Sequence, residues 1–125
     1  MSSAIVLFAH GARDPRWAEP FQRLKTLVAS RHPDGRVELA FLELMQPSLA
    51  EAIEALMKEG CEEIRIVPAF MAQGSHLRQD LPRMVGELQS RHPGLVLEIT
   101  PALGEVEAVL TAMADWIALS AKTSL

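Results

Sequence analysis

Short apolar runs alternate with stretches of helical periodicity along this whole chain, and that alternation leaves few folds open. Ala4–Ala9 is continuously apolar, as expected of a strand covered on both faces. From Trp17, the residues Phe21, Leu24, Leu27 and Val28 recur at helical spacing and predict a helix over 18–31, stopped by Pro33-Asp34-Gly35. Val37–Leu42 reads as a second strand. Pro47-Ser48 opens the next helix, with Ser48-x-x-Glu51 as a capping box, Leu49, Ile53, Leu56 and Met57 as its buried stripe, and Gly60 as its stop. Glu63–Pro68 is a third strand. A long loop, 69–79, leads to a helix whose first turn carries Asp80 and Pro82 and whose apolar side is Leu81, Met84, Val85 and Leu88. Leu95–Ile99 is the fourth strand. The last helix, Glu105–Leu119, is expected to turn Val106, Val109, Leu110, Met113, Trp116 and Ile117 inward.

The order βαβαβαβα predicts an α/β fold: a four-stranded, mostly parallel sheet with helices on both faces. A flavodoxin-like strand order, 2-1-3-4, is expected, with strands one and three side by side. The length of 125 residues fits one domain, 1–125. Right-handed crossovers then gather every βα connection on one edge of the sheet, where α/β folds place their sites. His10 follows the first strand, Glu43 ends the second, and His76 lies in the loop after the third.

Composition removes several classes of function. A net charge of −4, with no Tyr and two Trp, argues against a nucleic-acid surface. No run approaches the roughly 20 apolar residues of a membrane span, and no signal peptide is recognisable, so a cytoplasmic protein is expected. The single Cys61 fits a reducing compartment and reads as a small buried residue beside a strand. There is no G-x-G-x-x-G, P-loop or G-x-S-x-G elbow, and so no sign of an organic cofactor.

His10-Gly11 lets the backbone turn sharply while the imidazole projects from the sheet edge. His76, in Gln73-Gly74-Ser75-His76, sits in a flexible polar stretch where function concentrates. Taken singly, each reads equally well as a satisfied strand-end or solvated histidine, and Glu43 as an exposed carboxylate. Together, two imidazoles and a carboxylate form a sensible donor set for a divalent transition metal, with a position left open for substrate. Arg13, Arg16, Arg78 and Arg83 flank the two histidine segments and could grip carboxylates in bidentate fashion. His32 and His92, in the repeated Ser-Arg-His-Pro at 30–33 and 90–93, fall on the opposite edge and read as structural. A phosphatase of the Arg-His-Gly type is disfavoured because Ala9 precedes His10.

Four segments in order carry a family likeness: His10-Gly11-Ala12-Arg13-Asp14-Pro15; Phe41-Leu42-Glu43-Leu44 with Pro47; Val67-Pro68-Ala69-Phe70 with Gly74-x-His76-x-x-x-Asp80-x-Pro82; and Pro101-x-Leu103-Gly104. This pattern resembles the class II chelatases of the sirohydrochlorin cobaltochelatase (CbiX-like) type, in their short single-domain form. The resemblance implies a chelatase-like fold and insertion of a divalent ion (Co2+, or Fe2+ or Ni2+, as substrate) into a polycarboxylate tetrapyrrole. It implies that His10 and His76 handle the metal, with Glu43 as the strand-end acid. Arg13 and Arg78 are expected to meet the substrate's carboxylates. Ala12 departs from the serine common at that place. Longer relatives carry two such domains, so a short chain is expected to pair as a homodimer. The rival from another class is a non-catalytic metal or tetrapyrrole carrier on the same fold.

Overall fold

A computed structural model describes residues 2–122. Four parallel strands, β1 (Ser2–Ala9), β2 (Arg36–Phe41), β3 (Cys61–Pro68) and β4 (Val96–Ile99), form one sheet in the order β2-β1-β3-β4. This is the expected 2-1-3-4 order. The helices are α1 (Glu19–Ser30), α2 (Leu49–Lys58), α3 (Ser75–Arg91) and α4 (Glu107–Ser120). Short 3-10 turns at Pro15–Ala18 and Leu103–Glu105 precede α1 and α4.

The period of two along β1 divides the core. Ala4, Val6 and Phe8 point to the side covered by α2 and α3, where Ile53, Leu56, Ile64, Ile66 and Leu81 are also buried. Leu7 and Ala9 point to the other side, where α1 brings Phe21, Leu24 and Val28 against Leu39 and Phe41 of β2. The capping box forms as the sequence predicts: the Ser48 hydroxyl accepts from the Glu51 amide at 3.2 Å, and the Glu51 carboxylate accepts from the Ser48 amide at 2.8 Å. Gly60 ends α2 with φ +91°.

Two expectations fail. The helix after β3 begins at Ser75 and not near Asp80, so His76 stands in its first turn and Pro82 lies inside it. An internal proline costs about 3 kcal/mol. Leu77 and Leu81 are buried by the longer helix, each contributing roughly 1.5–3 kcal/mol, and with Val85 and Leu88 they complete a stripe at helical spacing. The exposed Pro82 ring faces water. The apolar stripe outweighs the proline.

The second failure is α4. None of its residues is buried, and Leu110, Trp116, Ile117 and Leu119 are 36%, 68%, 62% and 61% exposed. Val106, Val109 and Met113 are only half-buried. The periodicity correctly marks an amphipathic helix, but the 3-10 turn before it carries α4 away from the sheet. That turn is fixed by close backbone contact. A Cβ on Gly104 would stand 2.0 Å from the Met71 carbonyl oxygen.

Candidate functional site

All four βα connections leave the same edge of the sheet, and backbone hydrogen bonds extend the ladder beyond the strands. Leu42 donates to the Ala9 carbonyl at 2.8 Å, Glu43 to that of His10 at 3.1 Å, and Ala69 to that of Phe8 at 2.7 Å. Gly104 donates to the Phe70 carbonyl at 3.0 Å. The connections are therefore tied to one another before any side chain is considered.

Gly11 makes the tightest of these contacts. It takes φ +92°, and a Cβ there would sit 1.9 Å from the Glu43 carbonyl oxygen. Only glycine allows both the turn and the approach. His10 and Glu43 are thus brought to adjacent positions on the edge, both exposed. The His10 ring leans on Phe70, with centroids 4.5 Å apart and planes at 40°. Phe70 packs edge-on against Phe8 of the core at 6.2 Å. His76 is exposed in the first turn of α3, two residues past Gly74.

Among the described residues, no three His, Cys, Asp or Glu side chains stand together as a preformed metal cage. The expected donors share an edge, and His10 and Glu43 share a backbone hydrogen bond.

The arginines divide. Arg78 donates to the Gln73 carbonyl at 3.1 Å and pairs with Glu105 at 2.8 Å, bracing the segment before α3 against the root of α4. Arg16 pairs with Asp14 at 2.8 Å, and this guanidinium holds the exposed Asp14 carboxyl below the usual carboxylate range. Arg83 pairs along α3 with Asp80 and Glu87. Arg13 is exposed and makes no ion pair with another described residue; it lines a depression of about 320 Å³ with Ala12, Leu44 and Met45.

Residues without a role in the sequence reading also meet here. Phe70 supports the His10 ring. Leu44, at φ +65°, and Met71 are 59% and 61% exposed beside Glu43 and Phe70. A strand-end Leu-Glu-Leu and a Phe-Met pair look like core continuing, so apolar type alone could not reveal that these side chains face water.

The CbiX family model matches residues 4–118. The chain belongs to the CbiX family. The similar proteins include a sirohydrochlorin cobaltochelatase of Saccharolobus solfataricus, 33% identical over 102 residues and covering 78% of each chain. That of Methanocaldococcus jannaschii is 33% identical over 89 residues, 71% of this chain and 62% of its own length. The chain thus spans about three fifths of the length of that CbiX relative. Among solved structures, a Marinobacter aquaeolei CbiX protein described under cobalamin (vitamin B12) biosynthesis superposes with TM-score 0.85 at 30% identity, over 98% of this chain and 99% of that one. The cobalt complex of the sirohydrochlorin chelatase SirB of Bacillus subtilis superposes with TM-score 0.74 at 26% identity, over 94% of this chain but 50% of SirB.

Proposed function

We propose that this protein inserts a divalent transition metal, cobalt first and iron or nickel as alternatives, into sirohydrochlorin. The observation that carries the reading is the placement of His10 against Phe70, one backbone hydrogen bond from Glu43, on the edge that also bears His76. Membership of the CbiX family and the names of its similar members support it.

Insertion exchanges two pyrrole N–H protons for the metal ion, so the site must hold an ion, accept protons and then release the ion. His10 and His76 are the metal-handling donors, and Glu43 completes coordination or passes protons outward. Imidazole nitrogens suit both tasks near neutral pH. Donors on separate connections can approach the ion as the macrocycle arrives and part again once four pyrrole nitrogens replace them. Exposed Leu44 and Met71 offer apolar contact to the ring faces, and Arg13 meets a peripheral carboxylate. Arg78 contributes by exchanging Glu105 for a substrate carboxylate. The working unit is the single domain 1–125 paired with a second copy, acting in the cytoplasm without an organic cofactor.

The test is the initial rate of Co2+ insertion into sirohydrochlorin, followed by absorbance. Wild type should exceed the spontaneous rate and turn over many times. His10→Ala and His76→Ala should each lose more than about 100-fold in rate, while melting within a few degrees of wild type. Stoichiometric uptake without turnover would identify the carrier instead. Full activity in both variants would remove the histidines from the mechanism.

A further inference from the structure

Three of the four arginines near the site edge are matched by carboxylates of their own chain. Arg16 pairs with Asp14, and Arg83 with Asp80 and Glu87, all within four residues. Those pairs tie each segment only to itself. Arg78 differs, because its partner Glu105 lies 27 residues away on the next βα connection.

The Glu105 carboxylate serves both connections. Its Oε1 accepts from the Ala102 amide at 3.3 Å and closes the 3-10 turn, while its Oε2 accepts from Nη2 of Arg78 at 2.8 Å. Arg78 donates in turn from Nε to the Gln73 carbonyl at 3.1 Å. Nη1 of Arg78 has no protein partner among the described residues. Both side chains reach solvent, and exposed pairs of this kind are weak and exchange partners readily. The hydrogen bond from Gly104 to the Phe70 carbonyl joins the same two connections through the backbone. The ion pair can therefore open without the connections parting.

We propose that Glu105 is an internal stand-in for a substrate carboxylate: it occupies Arg78 in the empty site, yields it to a carboxylate arm of the incoming macrocycle, and reclaims it as the product leaves. This rests on the tetrapyrrole reading of the site and adds what Glu105 does there. The free Nη1 gives the arm a first foothold before Nη2 releases Glu105. Metal insertion changes the centre of the macrocycle and leaves its peripheral carboxylates as they were. At the rim, nothing then distinguishes product from substrate, and an unopposed arginine would retain both. A carboxylate tethered beside the same guanidinium competes at a fixed, high local concentration. It weakens the hold on substrate and product alike, and so sets the rate at which the site empties. Glu105 acts through Arg78 and touches neither metal nor ring.

The test is binding of metal-free sirohydrochlorin, followed by absorbance, to wild type, Glu105→Gln, Arg78→Met and the double variant. Glutamine serves a capping box as glutamate does, so the Ala102 contact survives and circular dichroism should show E105Q folded. E105Q should bind about 3- to 5-fold more tightly than wild type, with dissociation slowed by a similar factor. Glu107→Gln removes the same charge from an exposed residue two positions on, and should change affinity by less than about 1.5-fold. Arg78→Met should weaken binding, and adding E105Q to it should change nothing further. An E105Q protein that binds no more tightly than wild type would overturn the inference. So would equal tightening in the absence of Arg78, or an E107Q effect as large as that of E105Q. All three results leave the proposed function standing. A wild type that binds no sirohydrochlorin would overturn that function, and this inference with it.

Discussion

Replacing Gly11 by alanine tests whether backbone contact sets the spacing of His10 and Glu43. At φ +92° an L-residue is strained by roughly 1–2 kcal/mol. The new methyl would stand 1.9 Å from the Glu43 carbonyl oxygen, where ordinary contact begins near 3.4 Å, so the two connections must part by about 1.5 Å. That movement breaks the 3.1 Å hydrogen bond from Glu43 to His10. A lost backbone hydrogen bond adds about 1 kcal/mol. The expected destabilisation is therefore about 2–3 kcal/mol, or a melting temperature lower by roughly 6–12 °C for a chain of this size. Misplacing donors on this scale should cost about 100-fold in insertion rate. The assay pairs thermal melting with initial rates measured well below the lower melting point. Gly86→Ala is the control: no atom lies within 4 Å of its Cβ position, and helix α3 should gain about 0.5–1 kcal/mol. A G11A protein that melts within about 2 °C of wild type would refute the close contact. One that melts low but keeps full rate while folded would separate the spacing from the chemistry.

Leu44→Asn should raise the melting temperature by a few degrees, since asparagine tolerates φ +65° better than leucine. It should also raise KM through loss of an apolar contact, and an unchanged KM would remove Leu44 from the substrate surface. Arg13→Ala should raise KM for sirohydrochlorin more than it lowers kcat; a pure kcat effect would argue that Arg13 meets the transition state and not a resting carboxylate. The Glu51 carboxyl is held below the usual carboxylate range by the Ser48 amide and hydroxyl. Its contribution to stability is present above the unfolded value of about 4.3 and lost as pH falls through the lower folded value. Glu51→Gln should therefore melt below wild type at pH 7, with the gap closing toward pH 3; an equal gap at both pH values would refute this assignment.

Much of this architecture was legible because β1 is buried on both faces of the sheet and α2 along one stripe. The β1 run and the Leu49–Ile53–Leu56 stripe end where they should, and Ser48 and Gly60 mark the ends of α2 through local chemistry alone. Local signals misled where a distant surface decided. Asp80 and Pro82 imitate a helix start, yet burial of Leu77 pulls the start back to Ser75. The apolar residues of α4 recur at helical spacing, but periodicity tells that a helix has an apolar side and not what covers it. His10, Glu43 and His76 were expected on one edge from their places after strands, and the fold puts all three on that edge. Phe70 and the Gly11–Glu43 approach were not expected, because they arise from connections 30 to 60 residues apart.

Main-chain amides and carbonyls alone join the first two connections at His10 and Glu43. Those bonds do not depend on which side chain stands at position 10 or 43. Both side chains are exposed, the His10 ring resting one face on Phe70. Donor type at this edge is thus a free variable of the scaffold. Exchanging imidazole, carboxylate or thiolate at these two positions changes the hardness of the donor set while leaving the frame intact. A lineage built on this frame could drift from one metal to another by single substitutions, without first evolving greater stability to tolerate them.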